Sequence, residues 1–426
     1  MVVGMFCFLS SIFLFLDYLV IFWVFPFLMF LVLYFYGGFF DGFLFSDYFS
    51  LVLLFVTFWV FIFSILSMDL SFFSFIILWL MLSFLCFSFL TFNCLFFYIS
   101  FELVFVLMFI FLLGWGKTAE RLQASFYMFF YTMVFSLPFL VLLVDLFFSF
   151  FMVFDGFNFF SCGDFFLFFM FFVFVVKLPL FGFHLWLSYA HVEAPVSGSM
   201  ILAGVLLKLG GYGLLRFFNL SDSFSFSSSF FLNYLFYLGL YGGVLVSLLC
   251  VRQMDLKMMI AYSSVVHMSV MFLGLLSLTF WGIYGSLLMM VAHGFISPLM
   301  FYLMTYLYDL KHSRSIMVLK GVLLVNPLFC VLWFMCCSLN LSVPPFMSFY
   351  SEVIIFGSLV SFSFLEWFFV IFSCFFTGVY CIYTYVVVSH GTSLYSLFCF
   401  LDFKTCLITL SHPFFVIFYP LLFFLS

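Results

Sequence analysis

Residues 172–195 read FVFVVKLPLFGFHLWLSYAHVEAP. The stretch opens as an unbroken apolar run. It then meets Lys177, Pro179, His184, His191 and Glu193 in quick succession. A lysine in hydrocarbon costs about 2.5–3.5 kcal/mol to insert. A proline lacks the N–H that a helix needs and interrupts it. The meaning of this stretch turns on which solvent surrounds it.

Composition answers that. The chain has 426 residues, of which 69% are hydrophobic and 6% charged, and its mean hydropathy is +1.42. So few polar groups leave no way to cover a water-facing surface, so the solvent is lipid. Backbone in lipid must be satisfied within helices or a closed barrel. Barrel strands alternate apolar and polar residues, whereas these runs are apolar throughout. The predicted fold class is therefore an all-α polytopic membrane protein. The 84 phenylalanines, with abundant Leu, Val, Gly and Cys, also suggest a T- and G-rich genome of the kind found in some organelles. The net charge of −5 and the lack of a basic run exclude nucleic acid as a partner. The twelve cysteines include no C-x-x-C and read as small apolar residues. The N-terminus, MVVGMFCFLSSIF, has no basic n-region and reads as a retained helix.

Runs of about 20 residues fall at 48–68, 72–92, 94–114, 123–147, 164–190, 196–218, 229–251, 256–279, 282–309, 322–361, 365–389 and 406–425. Residues 1–36 add one helix or two, so the expected total is about fourteen, or thirteen. Loops at 115–122, 252–257, 310–320 and 402–405 carry Lys117, Arg121, Arg252, Lys257, Lys311, Arg314, Lys320 and Lys404. Counting spans places all four loops on one face. The other face holds Asp155, Asp164, Asp222 and Glu366, with only Arg216. The positive-inside rule makes the basic face the matrix or cytoplasmic one.

Lys177 and Lys208 are left within the membrane, with Glu102, Glu352, His267 and His293. Buried Glu, Lys and His across a bilayer define a proton or cation path by default. Each also has a plainer reading. Lys177 is near enough to a helix end to snorkel, Lys208 could sit in a structural ion pair, and the histidines could be satisfied core residues. His184 is placed near the same cavity; His191 and Glu193 are read as part of the turn into the next helix. Two spans are too long for one crossing, and both contain proline: Pro179 in 164–190, and Pro344–Pro345 in 322–361. Helices broken at membrane depth line protein or wet cavities, and transporters place ion sites there in repeated halves. Five spans separate the breaks, which predicts two five-helix repeats of inverted topology. GWGKTAERL contains G-K-T, but the Walker A pattern needs a glycine at 111, which is Phe.

The run VVKLPLFGFHLWLSYAHVEAPVSGSMILAGVLLKLGGYGLLR (175–216) resembles the antiporter-like, proton-translocating subunits of respiratory complex I. So do FELVFVLMFIFLLGWGKTAERLQASFYMFFYT (101–132), RQMDLKMMIAYSSVVHMSVM (252–271), MVAHGFISPLMFYL (290–303), DLKHSRSI (309–316) and NLSVPPFMSFYSEV (340–353). The resemblance implies fourteen helices in two inverted five-helix repeats. The corresponding division is N-terminal helices 1–93, a first half 94–218, a second half 219–389 and a C-terminal helix 390–426. It assigns proton translocation to Glu102 paired with Lys177, to the central Lys208 and to Glu352, with His184, His267, His293 and His312 along a polar axis. The acid at 352, where a sister branch has lysine, narrows the match. Ser188 departs from the family's proline. The resemblance further implies a mitochondrial inner-membrane location with basic loops in the matrix. It implies membrane-arm neighbours, flanking antiporter-like subunits and lipids as partners. It also implies no cofactor, metal, NADH or quinone bound by this chain, with FMN and iron–sulfur clusters in other subunits. An independent multi-subunit cation/proton antiporter is the alternative.

Overall fold

The computed structural model describes residues 40–41, 44–45, 47–68, 71–91, 93–116, 118–149, 164–220, 230–359 and 364–391. The expected helices in 1–36 and 406–425, and Lys117, Asp155, Asp222 and Lys404, lie outside the described residues. Apart from a two-residue antiparallel pair, Phe40–Asp41 with Leu44–Phe45, the described elements are helical. They are α1 (Tyr48–Leu66), α2 (Phe72–Leu90), α3 (Cys94–Trp115), α4 (Arg121–Ser149), α5 (Asp164–Lys177) and α6 (Leu185–Glu193). Next comes α7, which runs as Val196–Ile201, a π-helical turn Leu202–Leu206, and Leu207–Leu220. Then follow α8 (Phe230–Arg252), α9 (Leu256–Leu276), α10 (Phe280–Lys311), α11 (Val322–Val325), α12 (Pro327–Asn340), α13 (Met347–Leu359) and α14 (Phe364–Ser389). Nine helices among the described residues are long and apolar enough to cross a membrane.

The helices divide into a centre and a rim. The apolar windows of α7 and α10 are fully buried, whereas those of α4 and α14 are 28% buried. Phe130, Val134, Leu137 and Val141 on α4 are exposed at helical spacing, as are Phe368, Ile371 and Phe375 on α14. Large apolar side chains facing outward are what a lipid solvent requires. The centre instead uses small residues that let backbones approach. A Cβ on Gly294 of α10 would lie 2.7 Å from Val56 on α1, and one on Gly204 would lie 2.9 Å from Pro298.

Both long apolar spans are broken where the prolines predict, and both breaks are closed in the same way. In a continuous helix Leu180 N–H would donate to Val176 O; it reaches Val175 O instead, at 3.5 Å. The Trp186 indole then donates to Val176 O at 3.0 Å. In the second break Val343 N–H donates to Ser338 O at 3.2 Å. Leu339 O takes the Ser348 hydroxyl at 2.9 Å together with the Ser342 amide at 3.3 Å. Each turn needs one left-handed residue, Gly182 (φ 93°) and Ser342 (φ 59°). Carbonyls freed at membrane depth thus find partners inside the protein.

Contacts sort the charged ends as the span count predicts. At one end Lys257 Nζ donates to Val192 O and Ala194 O, both at 3.0 Å. The Glu193 carboxylate there accepts from Arg314 Nη1 at 3.3 Å and from the Thr118 hydroxyl. At the other end Arg216 pairs with Asp47 and donates to Tyr212 Oη at 2.7 Å, and Tyr212 donates to Phe89 O.

Candidate functional site

The break after α5 delivers Lys177 to the centre. Its side chain is fully buried, and Nζ donates to Glu102 Oε1 at 2.7 Å. The ammonium also lies over the rings of Phe101 and Phe105, 3.3 and 4.0 Å from their centroids. Those phenylalanines flank Glu102 on α3, so one turn of that helix supplies both the counter-charge and the aromatic faces.

A second group gathers around Lys208. The π-helical turn in α7 leaves the Ala203 carbonyl within reach, and Lys208 Nζ donates to it at 2.5 Å. Nζ also lies 2.8 Å from His293 Nδ1, a contact that needs only one proton between two nitrogens. A Cβ on the neighbouring Gly294 would lie 3.6 Å from Lys208 Cε, an ordinary van der Waals contact. Ser297 Oγ lies 3.4 Å from His293 Nδ1 and donates to His293 O.

From His293 the row continues to His267, whose ring centroid is 6.0 Å away. His267 Nε2 donates to Asn340 Oδ1 at 2.9 Å, which turns Nδ1 towards Glu352 Oε1, 3.7 Å away. The same Oε1 accepts the Ser342 hydroxyl at 2.6 Å. The second break therefore brings Asn340, Ser342 and Glu352 around one imidazole.

Six of the eight expected site residues fall into these two groups, Glu102–Lys177 and Lys208–His293–His267–Glu352. His184 and His312 join neither. The His184 ring stacks on Phe181 at 5.6 Å and meets Tyr262 edge-on. His312 caps α10 in a left-handed conformation, beside Tyr308, in the basic loop. One expectation is corrected: His191 is no turn residue but lies inside α6, with 0% exposure. Its burial follows from the packing of this short helix against α4 and α9, which sets the His191 ring on Phe301 of α10. Ser188, the departure from proline, is buried and donates to Leu185 O at 2.9 Å.

Phe101, Phe105, Asn340, Ser342 and Ser297 were not singled out from sequence. A Phe in this chain carries no signal, and serines on apolar helices usually bond their own backbone. Asn340 is the exception, being an amide beside a predicted break. Among the described residues no group of three or more His, Cys, Asp or Glu could hold a metal ion.

A lipid-facing helical bundle with a titratable row at its centre, built on two broken helices, defines an antiporter-type membrane protein. The chain belongs to the NADH:quinone oxidoreductase/Mrp antiporter transmembrane family, whose model matches residues 91–379. It is 41% identical to the NADH-ubiquinone oxidoreductase chain 4 of Locusta migratoria over 301 residues, 70% of this chain and 67% of that one. It is 42% identical to chain 4 of Aedes aegypti, covering 69% of this chain and 66% of that one. The matched region thus spans about two thirds of these relatives. Two solved structures share the fold. A chain of respiratory complex I from Thermus thermophilus superposes with a TM-score of 0.80 at 19% identity, covering 92% of this chain and 89% of that one. A chain of an archaeal membrane-bound sulfane sulfur reductase gives 0.81 at 18%, covering 94% and 70%.

Proposed function

We propose that this chain is the chain 4 type, proton-translocating membrane subunit of a respiratory NADH:ubiquinone oxidoreductase, in the mitochondrial inner membrane with its basic loops in the matrix. The observation that carries the reading is the buried row from Lys208 through His293 and His267 to Glu352. Relatives named as chain 4 of that enzyme support it over an independent antiporter. Within the complex, neighbouring membrane-arm subunits and lipid cover the rim, and electron transfer through FMN and iron–sulfur clusters takes place in other subunits.

In the proposed mechanism a proton resides on Nζ of Lys208 or on Nδ1 of His293, and passes between them across their contact. A water carries it from His293 to His267. His267 exchanges it with Glu352, from which it leaves towards the acidic face. Glu102 holds a proton on Lys177. Separating the two would free Lys177 to change charge and so alter the field felt along the row. Energy comes from electron transfer elsewhere in the complex.

We also assign the two inverted repeats. Their support is the matching closure of the two breaks. A five-span first repeat must begin at α2, since 94–218 holds only four spans.

The test is Lys208→Met in the assembled complex in sealed vesicles. Proton translocation and coupled ubiquinone reduction should be lost while the complex still assembles. Full coupled activity would overturn the row as the pathway.

A further inference from the structure

His191 is fully buried, and neither ring nitrogen has a hydrogen-bond partner. Its ring lies flat on Phe301, with centroids 4.5 Å apart and planes 13° from parallel. A side chain kept only for that stack would be better served by an aromatic hydrocarbon, because buried polar atoms without partners are destabilising. The choice of imidazole needs another reason.

Its position supplies one. On α6, the next residue's carbonyl accepts from Lys257, and Glu193 beyond it is held by Arg314 and Thr118. These are the groups of the basic end. On the opposite side stands α10, where His293, Ser297 and Phe301 follow at i, i+4, i+8 and so share one face. Ser297 lies beside His293, and the His191 ring sits against Phe301, about one turn or ~5–6 Å further towards the basic end. His191 also lies within the electrostatic reach of Lys208, Lys257 and His293. It occupies the gap between the basic face and the Lys208–His293 pair.

We propose that His191 is a proton-carrying residue that joins the basic end of the bundle to Lys208 and His293. One ring nitrogen takes a proton from water admitted beside Lys257 and Glu193. The same nitrogen then releases it through water towards Ser297 and His293, so that the neutral ring is restored with its other nitrogen unchanged. No group other than the proton moves. This assignment rests on the proposed function of the row.

The experiment compares His191→Phe and His191→Gln with Lys208→Met, each in the assembled complex in vesicles. Phe keeps the stack on Phe301. Gln keeps hydrogen bonding and room for water, but does not carry a proton. Both His191 variants should oxidise NADH normally with a soluble artificial acceptor, yet lose at least tenfold in proton translocation with ubiquinone. Normal translocation in His191→Gln, where Lys208→Met is inactive, overturns the role of His191 and leaves the row standing. Translocation that survives Lys208→Met overturns the row itself. Should His191→Phe fail to assemble, His191→Gln alone decides.

Discussion

Nζ of Lys208 lies 2.8 Å from Nδ1 of His293, and both side chains are buried at the centre of the bundle. The two residues are 85 positions apart, on helices that meet because glycines replace side chains between them. The contact gives the lysine a neutral, proton-accepting partner in place of a carboxylate. A carboxylate would lock the ammonium in place, whereas an imidazole lets the proton move.

Replacing His293 with Leu should leave Lys208 only the Ala203 carbonyl. We expect proton translocation to fall at least tenfold while the complex assembles and oxidises NADH with an artificial acceptor. Fluorescent pH indicators in vesicles measure this directly, and near-normal rates would mean the proton bypasses His293.

Glu102→Gln removes the counter-charge of Lys177. An unpaired buried charge costs about 3–5 kcal/mol, so the lysine should be held as the neutral amine and turnover should drop several-fold. Glu102→Asp keeps the charge and should recover most of the activity. Equal losses in both variants would show that side-chain length, and not charge, is what matters.

Gly294→Ala should be destabilising, because its Cβ would press on Val56 at 2.7 Å. Overpacking of this kind costs about 1–3 kcal/mol. Adding Val56→Ala should restore much of the thermal stability, and the purified complex's unfolding temperature reads both steps. Failure of the double variant to recover would place the constraint at the Gly204 carbonyl, which the new Cβ would meet at 3.4 Å.

Trp186→Phe removes the indole N–H that satisfies Val176 O at the first break. An unsatisfied carbonyl at this depth should cost about 1–3 kcal/mol. We expect a lower unfolding temperature and faster proteolysis between Lys177 and Leu185. No change in either would mean that another group takes over the carbonyl.

Much of the fold was legible in the sequence. Apolar length gave the spans, because hydrocarbon thickness sets helix length. Pro179 and Pro344–Pro345 gave the breaks, because a missing N–H weakens a helix, although Pro138 and Pro298 are carried inside the continuous helices α4 and α10. Less of the site could be read. His191 resembled an interfacial turn residue in sequence because it follows a break and opens the stretch HVEAP. Only the fold shows that this short helix packs on α4 and α9 and turns the His191 ring onto Phe301. The family resemblance set His184 and His312 on the same polar axis as His267 and His293, yet they stand apart from the row. His312 lies in the basic loop at the end of α10, and His184, at the start of α6, turns onto Phe181 and Tyr262; the sequence hides such facing, since hydropathy tells membrane from water but not lipid from protein interior, lipid tails being as apolar as leucine.

The sequence by itself thus determined the solvent, the helices, their breaks and the titratable groups that had to be accommodated. Tertiary structure alone decided the partners. It set Glu102 against Lys177, gave Lys208 an imidazole instead of an acid, and placed Glu352 beside His267. The reason is physical. Solvent and backbone geometry act on each segment separately, whereas pairing a buried charge depends on which faces of distant helices pack together.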